Sequence, residues 1–96
     1  MIHIAELFAG LMEKDWDVPE VQQGMVRVAW SYCVGEAIRA VTEPVEFRNG
    51  ILRVIVKDSQ WKRTLVTMKS DLLARLNQYL KKPVVKELEL EVQLQP

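Results

Sequence analysis

The side chains best suited to catalysis are few in this sequence. His3 is the only histidine, so a histidine-based triad and a metal site built from several imidazoles are excluded by count. Cys33 is the only cysteine, and its place in an apolar stretch predicts a buried, unreactive thiol. No CxxC pair, glycine-rich phosphate loop or G-x-S-x-G motif is present. The sequence therefore predicts a protein that is not an enzyme and that holds no cofactor or metal.

Two groups of closely spaced carboxylates are candidates for binding a cation. Asp15 and Asp17 flank a tryptophan just before a helical pattern, where acidic side chains commonly cap the helix. Glutamates occupy every second position from 87 to 91, which is the spacing of one face of a β-strand. We interpret the first group as a helix start and the second as a solvated strand face that discourages edge pairing.

Positive charge is concentrated in the middle of the chain. The net charge is zero, yet residues 48–86 contain ten basic residues against two acids, whereas residues 1–47 contain three basic residues against eight acids. Such asymmetry is typical of a surface that faces a polyanion, although basic residues also simply solvate exposed faces. The candidate contacts for nucleic-acid phosphates are Arg48, Arg53, Lys57, Lys62, Arg63 and Lys69.

Trp61 lies inside the most basic stretch, VIVKDSQWKRTL at residues 54–65. It could stack on a nucleic-acid base, or it could pack in the core. It begins a helical series with Leu65, Met68 and Leu72, whose steps of four, three and four residues define one helix face. We therefore predict a core position, and expect Trp61→Ala to cost about 3–5 kcal/mol of stability.

The elements that position these residues follow from hydrophobic periodicity. Helices are predicted at about 2–13, at 18–40 with Asp17 as the N-cap and Pro19 in the first turn, and at 59–81 with Asp58 or Ser59 as the cap. The apolar positions of the last helix reach Leu76 and Tyr79.

Two strands and a turn are predicted between the second and third helices. Asn49-Gly50 separates two alternating runs, which is a strong signal for a hairpin with a type I′ turn. This turn pairs Arg48 with Ile51, Phe47 with Leu52, Glu46 with Arg53, and Val45 with Val54. The register places the apolar pairs on one face and an opposite-charge pair on the other.

The C-terminal stretch VVKELELEVQLQ alternates strictly and predicts a third, half-buried strand. The resulting order is α-α-β-β-α-β: one domain over residues 1–96, of α+β class, in which helices cover one face of a three-stranded sheet in a two-layer sandwich. The third strand is expected beside the second, in parallel, or beside the first. The predicted core comprises Trp30, Phe47, Leu52, Trp61, Leu65, Leu72 and Leu76.

These motifs, in this order, resemble the DciA family, also known as domain of unknown function 721. The resemblance covers about residues 18–92. It is carried by Trp30-Ser31-Tyr32-Cys33-Val34-Gly35-Glu36, Pro44, Asn49-Gly50-Ile51-Leu52, Ser59-Gln60-Trp61 with Leu65, and Leu72-Leu73-Ala74-Arg75-Leu76-Asn77.

The resemblance implies a KH-like domain of a bacterial protein that assists loading of the replicative DNA helicase, and that binds the helicase and, weakly, single- or double-stranded DNA. The sequence lacks the GxxG loop with which KH domains clamp a nucleic-acid backbone. Two alternatives stay open: a KH-like nucleic-acid-binding module that acts alone, and a self-associating scaffold domain. No apolar run approaches the roughly 20 residues that span a bilayer, and no basic leader begins the chain, so a cytoplasmic location without membrane contact is expected.

Overall fold

The computed structural model describes residues 17–93. The helices are α1 (Pro19–Cys33), α2 (Glu36–Val41), α3 (Ser59–Thr67) and α4 (Lys69–Leu80), and the strands are β1 (Thr42–Arg48), β2 (Ile51–Val56) and β3 (Glu87–Val92). The α+β class, the element order and the three-stranded sheet agree with the prediction. The predicted helix at 2–13 lies outside the described residues.

The sheet has the order β1-β2-β3, with β1 antiparallel and β3 parallel to the central strand β2. The parallel arrangement, one of the two that the sequence allowed, requires the α3–α4 crossover between β2 and β3. One face of the sheet packs against the helices and contributes the buried side chains Phe47, Leu52, Val54, Val56, Leu88 and Leu90. The helices supply Met25, Val26, Ala29, Trp30, Leu65, Leu72, Leu76 and Leu80 to the same core.

The hairpin turn forms at Asn49 and Gly50, which both have positive φ, at 52° and 80°. Arg48, Phe47 and Glu46 pair with β2 as predicted. The fourth predicted pair is wrong, because a β-bulge leaves Val45 unpaired and places Pro44 opposite Val54. Proline cannot donate to a strand ladder, and β1 is an edge strand, where that loss is tolerated.

Helix α1 closes the outer edge of β1. The side-chain amide of Gln23 donates to the carbonyl of Phe47 and accepts the Phe47 N–H at 2.8 Å. The guanidinium of Arg27 donates to the carbonyl of Val45, the bulged residue, at 3.1 Å. These side chains satisfy backbone groups that an edge strand would otherwise present to another chain.

The two long predicted helices are each interrupted. The first ends at Cys33, and the chain turns at Gly35, whose φ of 83° is a left-handed conformation, before α2 begins. The second is interrupted at Met68, which ends α3 with a φ of −104° and a ψ of 2°. The predicted N-cap Asp17 is also wrong: Val18 is the N-cap of α1, without a side-chain hydrogen bond, and Pro19 holds the first helical position.

Asn77 fixes the connection between α4 and β3. Its side-chain amide donates to the carbonyl of Val85 and accepts the Val85 N–H, both at 2.9 Å. The Asn77 amide therefore satisfies both backbone groups of Val85, as a neighbouring strand would do. The Val85 side chain is buried in the core. This pair of hydrogen bonds gives a physical reason for an asparagine at the end of the Arg75-Leu76-Asn77 segment.

Candidate functional site

The six cationic side chains singled out from the sequence do not lie on one surface. Arg48 and Arg53 project from the outer face of the sheet, opposite the helices, because their hairpin partners alternate with the buried residues. Lys62 and Arg63 belong to α3, and Lys69 begins α4. Lys57 follows β2 and is exposed. Basic residues that are close together in the sequence therefore lie on at least two different faces of the folded protein.

Arg53 lies at the centre of an ion-pair network on the outer face. Its guanidinium is 3.6 Å from a carboxylate oxygen of Glu46 on β1 and 3.2 Å from one of Glu91 on β3. The hydrogen bond to Glu91 and the charge of that carboxylate raise the pKa of Arg53. The side chain links the three strands, and its charge is already compensated by two carboxylates.

The outer face of the sheet is acidic as a whole. It carries two arginines, Arg48 and Arg53, and five glutamates. We call this surface the acidic sheet face, and its glutamates are Glu43, Glu46, Glu87, Glu89 and Glu91. A nucleic-acid backbone approaching this surface meets a net negative charge, which opposes binding. Two of the six candidate residues are thus poorly placed for phosphate contact.

The first turns of α3 present two cations that lie away from the acidic sheet face. Lys62 and Arg63 line a shallow depression with Ser59 and Val66, which we call the α3 groove. Neither cation forms an ion pair with any residue between 17 and 93, whereas Lys69 is paired with Glu87 at 3.4 Å. Val66 is 46% exposed, so the groove offers a hydroxyl, two cations and an aliphatic surface together.

Trp61 is neither fully buried, as a core residue would be, nor fully exposed, as a residue that stacks on a base would be. Its side chain is partly buried and packs against the core cluster. Its backbone N–H donates to Oδ1 of Asp58 at 2.8 Å, which makes Asp58 the N-cap of α3. This carboxylate occupies the helix N-terminus and disfavours a phosphate at that point, so anion binding has to rely on the flanking side chains.

A pair of tyrosines forms a second surface that sequence reasoning missed. Tyr32 of α1 stacks on Tyr79 of α4, with ring centroids 6.0 Å apart and planes inclined by 8°. Tyr32 is 61% exposed although it fits the apolar period of its helix. Cys33, Arg75, Gln78 and Tyr79 line a depression beside the stack, and with Tyr32 they form what we call the aromatic seam.

Two side chains of the seam, Cys33 and Tyr79, have raised pKa values and stay protonated at neutral pH. Burial raises the pKa of the Cys33 thiol, and the nearby charge of Arg75 only partly offsets this effect. Burial also raises the pKa of Tyr79, with smaller contributions from Tyr32 and Cys33. The Cys33 sulfur lies 3.6 Å from the carbonyl oxygen of Arg75. The seam therefore has the character of a packing surface and not of a nucleophilic centre.

Residues 17–93 form neither a metal cluster nor a membrane-spanning helix. Within that part of the chain, no three His, Cys, Asp or Glu side chains come together in a way that suits a metal ion. None of the helices α1–α4 combines the length and apolar character needed to cross a membrane.

Comparisons with known proteins identify relatives over most of the chain. Residues 3–90 match the family described as "Dna[CI] antecedent, DciA". A UPF0232 protein of Rhodococcus jostii (strain RHA1) is 36% identical over 78 residues, and UPF0232 protein Rv0004 of Mycobacterium tuberculosis (strain H37Rv) is 32% identical over 78 residues. Each alignment covers 81% of this chain and 41% of the relative, so the chain spans about half the length of these proteins. The match over residues 3–90 shows that this chain belongs to the DciA family.

Proposed function

We propose that this chain is a noncatalytic accessory module of DNA replication that binds the replicative helicase and contacts DNA weakly. The observation that carries the proposal is the family match over residues 3–90. The test is co-elution of the purified protein with the helicase of its own organism, followed by an assay of helicase loading onto single-stranded DNA. Absence of both co-elution and any change in loading would contradict the proposal.

We assign helicase binding to the aromatic seam. Tyrosine is enriched at the energetic centres of protein interfaces, because a rigid ring buries much area at a low cost in conformational entropy. Tyr32 is largely exposed yet held in place by its stack on Tyr79, so little ordering is needed on binding. The seam lies on α1 and α4, away from the acidic sheet face.

Tyr32→Ala is expected to weaken helicase binding about tenfold or more, as for an aromatic residue at the centre of an interface. The matched control is Ile51→Ala, which removes an exposed side chain from the opposite face of the protein. Both variants should keep most of the stability because neither side chain is buried. Binding is measured by calorimetry with the purified helicase. Equal affinities for the two variants would place the helicase contact elsewhere.

DNA contact is assigned to the α3 groove. Lys62 and Arg63 have no ion-pair partner among residues 17–93, so binding a phosphate does not require an existing pair to be broken. Ser59 adds a hydroxyl that can donate to a phosphate oxygen. Two cations support only weak, salt-sensitive binding without base readout. This observation also favours the second candidate function, a nucleic-acid-binding module that acts without the helicase.

Charge reversal of Lys62 and Arg63 together is expected to lower affinity for single-stranded DNA about tenfold, and to reduce the slope of log K against log salt by about 0.7 for each phosphate that the protein no longer neutralises. Arg48→Glu is the control, because Arg48 is a sequence candidate that lies on the acidic sheet face. Fluorescence anisotropy over a salt series measures both quantities. Equal losses of affinity in the control and the double variant would refute the assignment to α3.

A further inference from the structure

Among residues 17–93, no strand pairs with the outer edge of β3, and we call this edge the open edge of β3. The N–H of Glu87 donates to the carbonyl of Gly50, and the N–H of Gln93 donates to that of Val56, so odd-numbered residues direct their backbone groups toward β2. In a parallel ladder the alternate residues direct theirs away from that neighbour. The outward residues of β3 are therefore Leu88, Leu90 and Val92.

The outward donors are only partly satisfied. The N–H of Leu88 donates to the carboxylate of Glu87 at 3.1 Å. The structure gives the N–H groups of Leu90 and Val92 no partner among residues 17–93. Val92 is also 36% exposed, as one of the larger apolar side chains on the surface. The two edge strands of the sheet thus differ. On β1, Gln23 and Arg27 form hydrogen bonds with the backbone groups that point away from β2.

We propose that the open edge of β3 binds an extended segment of a partner protein in which apolar and basic residues alternate. Such a segment adds a fourth strand and pairs with the N–H groups of Leu90 and Val92. Its basic side chains lie beside Glu89 and Glu91 on the acidic sheet face, and its apolar side chains lie on the helix-covered side, beside Leu90 and Val92. Glu89 forms no ion pair with any residue between 17 and 93, so it is available to such a cation.

Charge complementarity selects this occupant over a second copy of the chain. Antiparallel pairing of two β3 strands edge to edge keeps both acidic sheet faces on one side and brings the glutamates at 87, 89 and 91 of one copy beside those of the other, and like charges across a strand pair are destabilising. Parallel pairing requires one copy to be turned over, which places its glutamates on the helix-covered side of the other copy, beside apolar side chains. The same row of carboxylates therefore discourages self-association and favours a cationic strand. This inference concerns a surface distinct from the aromatic seam and the α3 groove, and it stands whether or not those surfaces bind helicase and DNA.

The probe is a seven-residue peptide that alternates lysine and valine, titrated into the isotope-labelled protein. At saturation we expect hydrogen exchange of the Leu90 and Val92 amides to slow by about tenfold or more, because these donors become hydrogen-bonded. Affinity should fall as salt rises, as expected for surface ion pairs. The same peptide N-methylated at every residue should bind at least about tenfold more weakly, since strand addition in either direction depends on main-chain hydrogen bonds.

Two charge reversals on the acidic sheet face locate the binding site. Glu89→Lys removes a carboxylate from β3 and should weaken peptide binding about tenfold, as for removal of a complementary charge at an interface. Glu43→Lys makes the same change on β1 and should leave affinity nearly unchanged. Equal losses in the two variants, unchanged exchange at Leu90 and Val92, or equal binding of the N-methylated peptide would each overturn strand addition at β3.

Discussion

Replacing Trp30 with alanine is expected to lower the free energy of unfolding by about 3–5 kcal/mol, the range observed for large buried aromatic residues. Trp30 is the largest fully buried side chain among residues 17–93, with 0% exposure. Its Nε1–H donates to Oγ1 of Thr42 at 3.0 Å, and that hydroxyl donates to the carbonyl of Ile38 at 2.7 Å. The indole therefore connects α1 to the start of β1, and through the Thr42 hydroxyl to Ile38 of α2. Urea unfolding followed by circular dichroism measures the loss.

Two further substitutions separate packing from hydrogen bonding at this position. Trp30→Phe keeps a buried ring but removes the N–H donor to Thr42, and should cost less than Trp30→Ala. Trp61→Ala should also cost less than Trp30→Ala, because Trp61 is only partly buried, which lowers the expectation drawn from the sequence. A loss below about 1 kcal/mol for Trp30→Ala would be incompatible with a fully buried anchor.

Gly35→Ala is expected to destabilise the protein by about 1–3 kcal/mol through backbone strain alone. Gly35 adopts φ 83° and ψ 167° between α1 and α2, a region that is essentially restricted to glycine. A Cβ atom at this position meets no atom within 4 Å, so a steric clash with other residues cannot account for the loss. Thermal and urea denaturation of the variant measure the effect.

Gly24→Ala is the matched control, because a Cβ at Gly24 also meets nothing within 4 Å. Gly24 lies inside α1, where alanine favours the helix, and the substitution should stabilise the protein by about 0.5–1 kcal/mol. The same chemical change is thus expected to have opposite signs at two sites eleven residues apart. Loss of stability in both variants, by similar amounts, would show that the conformation of Gly35 is not the cause.

The local predictions succeeded where short-range rules apply. Asn49-Gly50 determines the turn and the first three pairs of the hairpin, since few other residues accept positive φ at both positions. The fourth pair failed because the bulge at Val45 is stabilised by Arg27, a residue eighteen positions away. Strand alternation also identified both faces of β3, because side chains on a strand point alternately to opposite sides.

Helix ends were less predictable than helix faces. The stripe that contains Leu65 and Leu72 is continuous in the sequence, yet the chain leaves helical geometry at Met68 between them. Periodicity reports which side of a segment is apolar, and two consecutive helices can share one stripe when both pack on the same sheet. The left-handed residue Gly35 was a visible signal of the other break, because glycine is costly inside a helix.

The sequence by itself determined the order of the elements, the apolar faces that meet in the core, the scarcity of catalytic side chains and the family resemblance. Only the tertiary structure decided which charges remain available. Arg53 and Lys69 are paired with carboxylates from distant strands, while Lys62 and Arg63 are not. It also brought Tyr32 and Tyr79 together across 47 positions and, within residues 17–93, left the outer edge of β3 without a pairing strand. The reason is physical: periodicity records how each residue relates to its own helix or strand, whereas charge compensation, stacking and edge closure depend on residues that folding brings together.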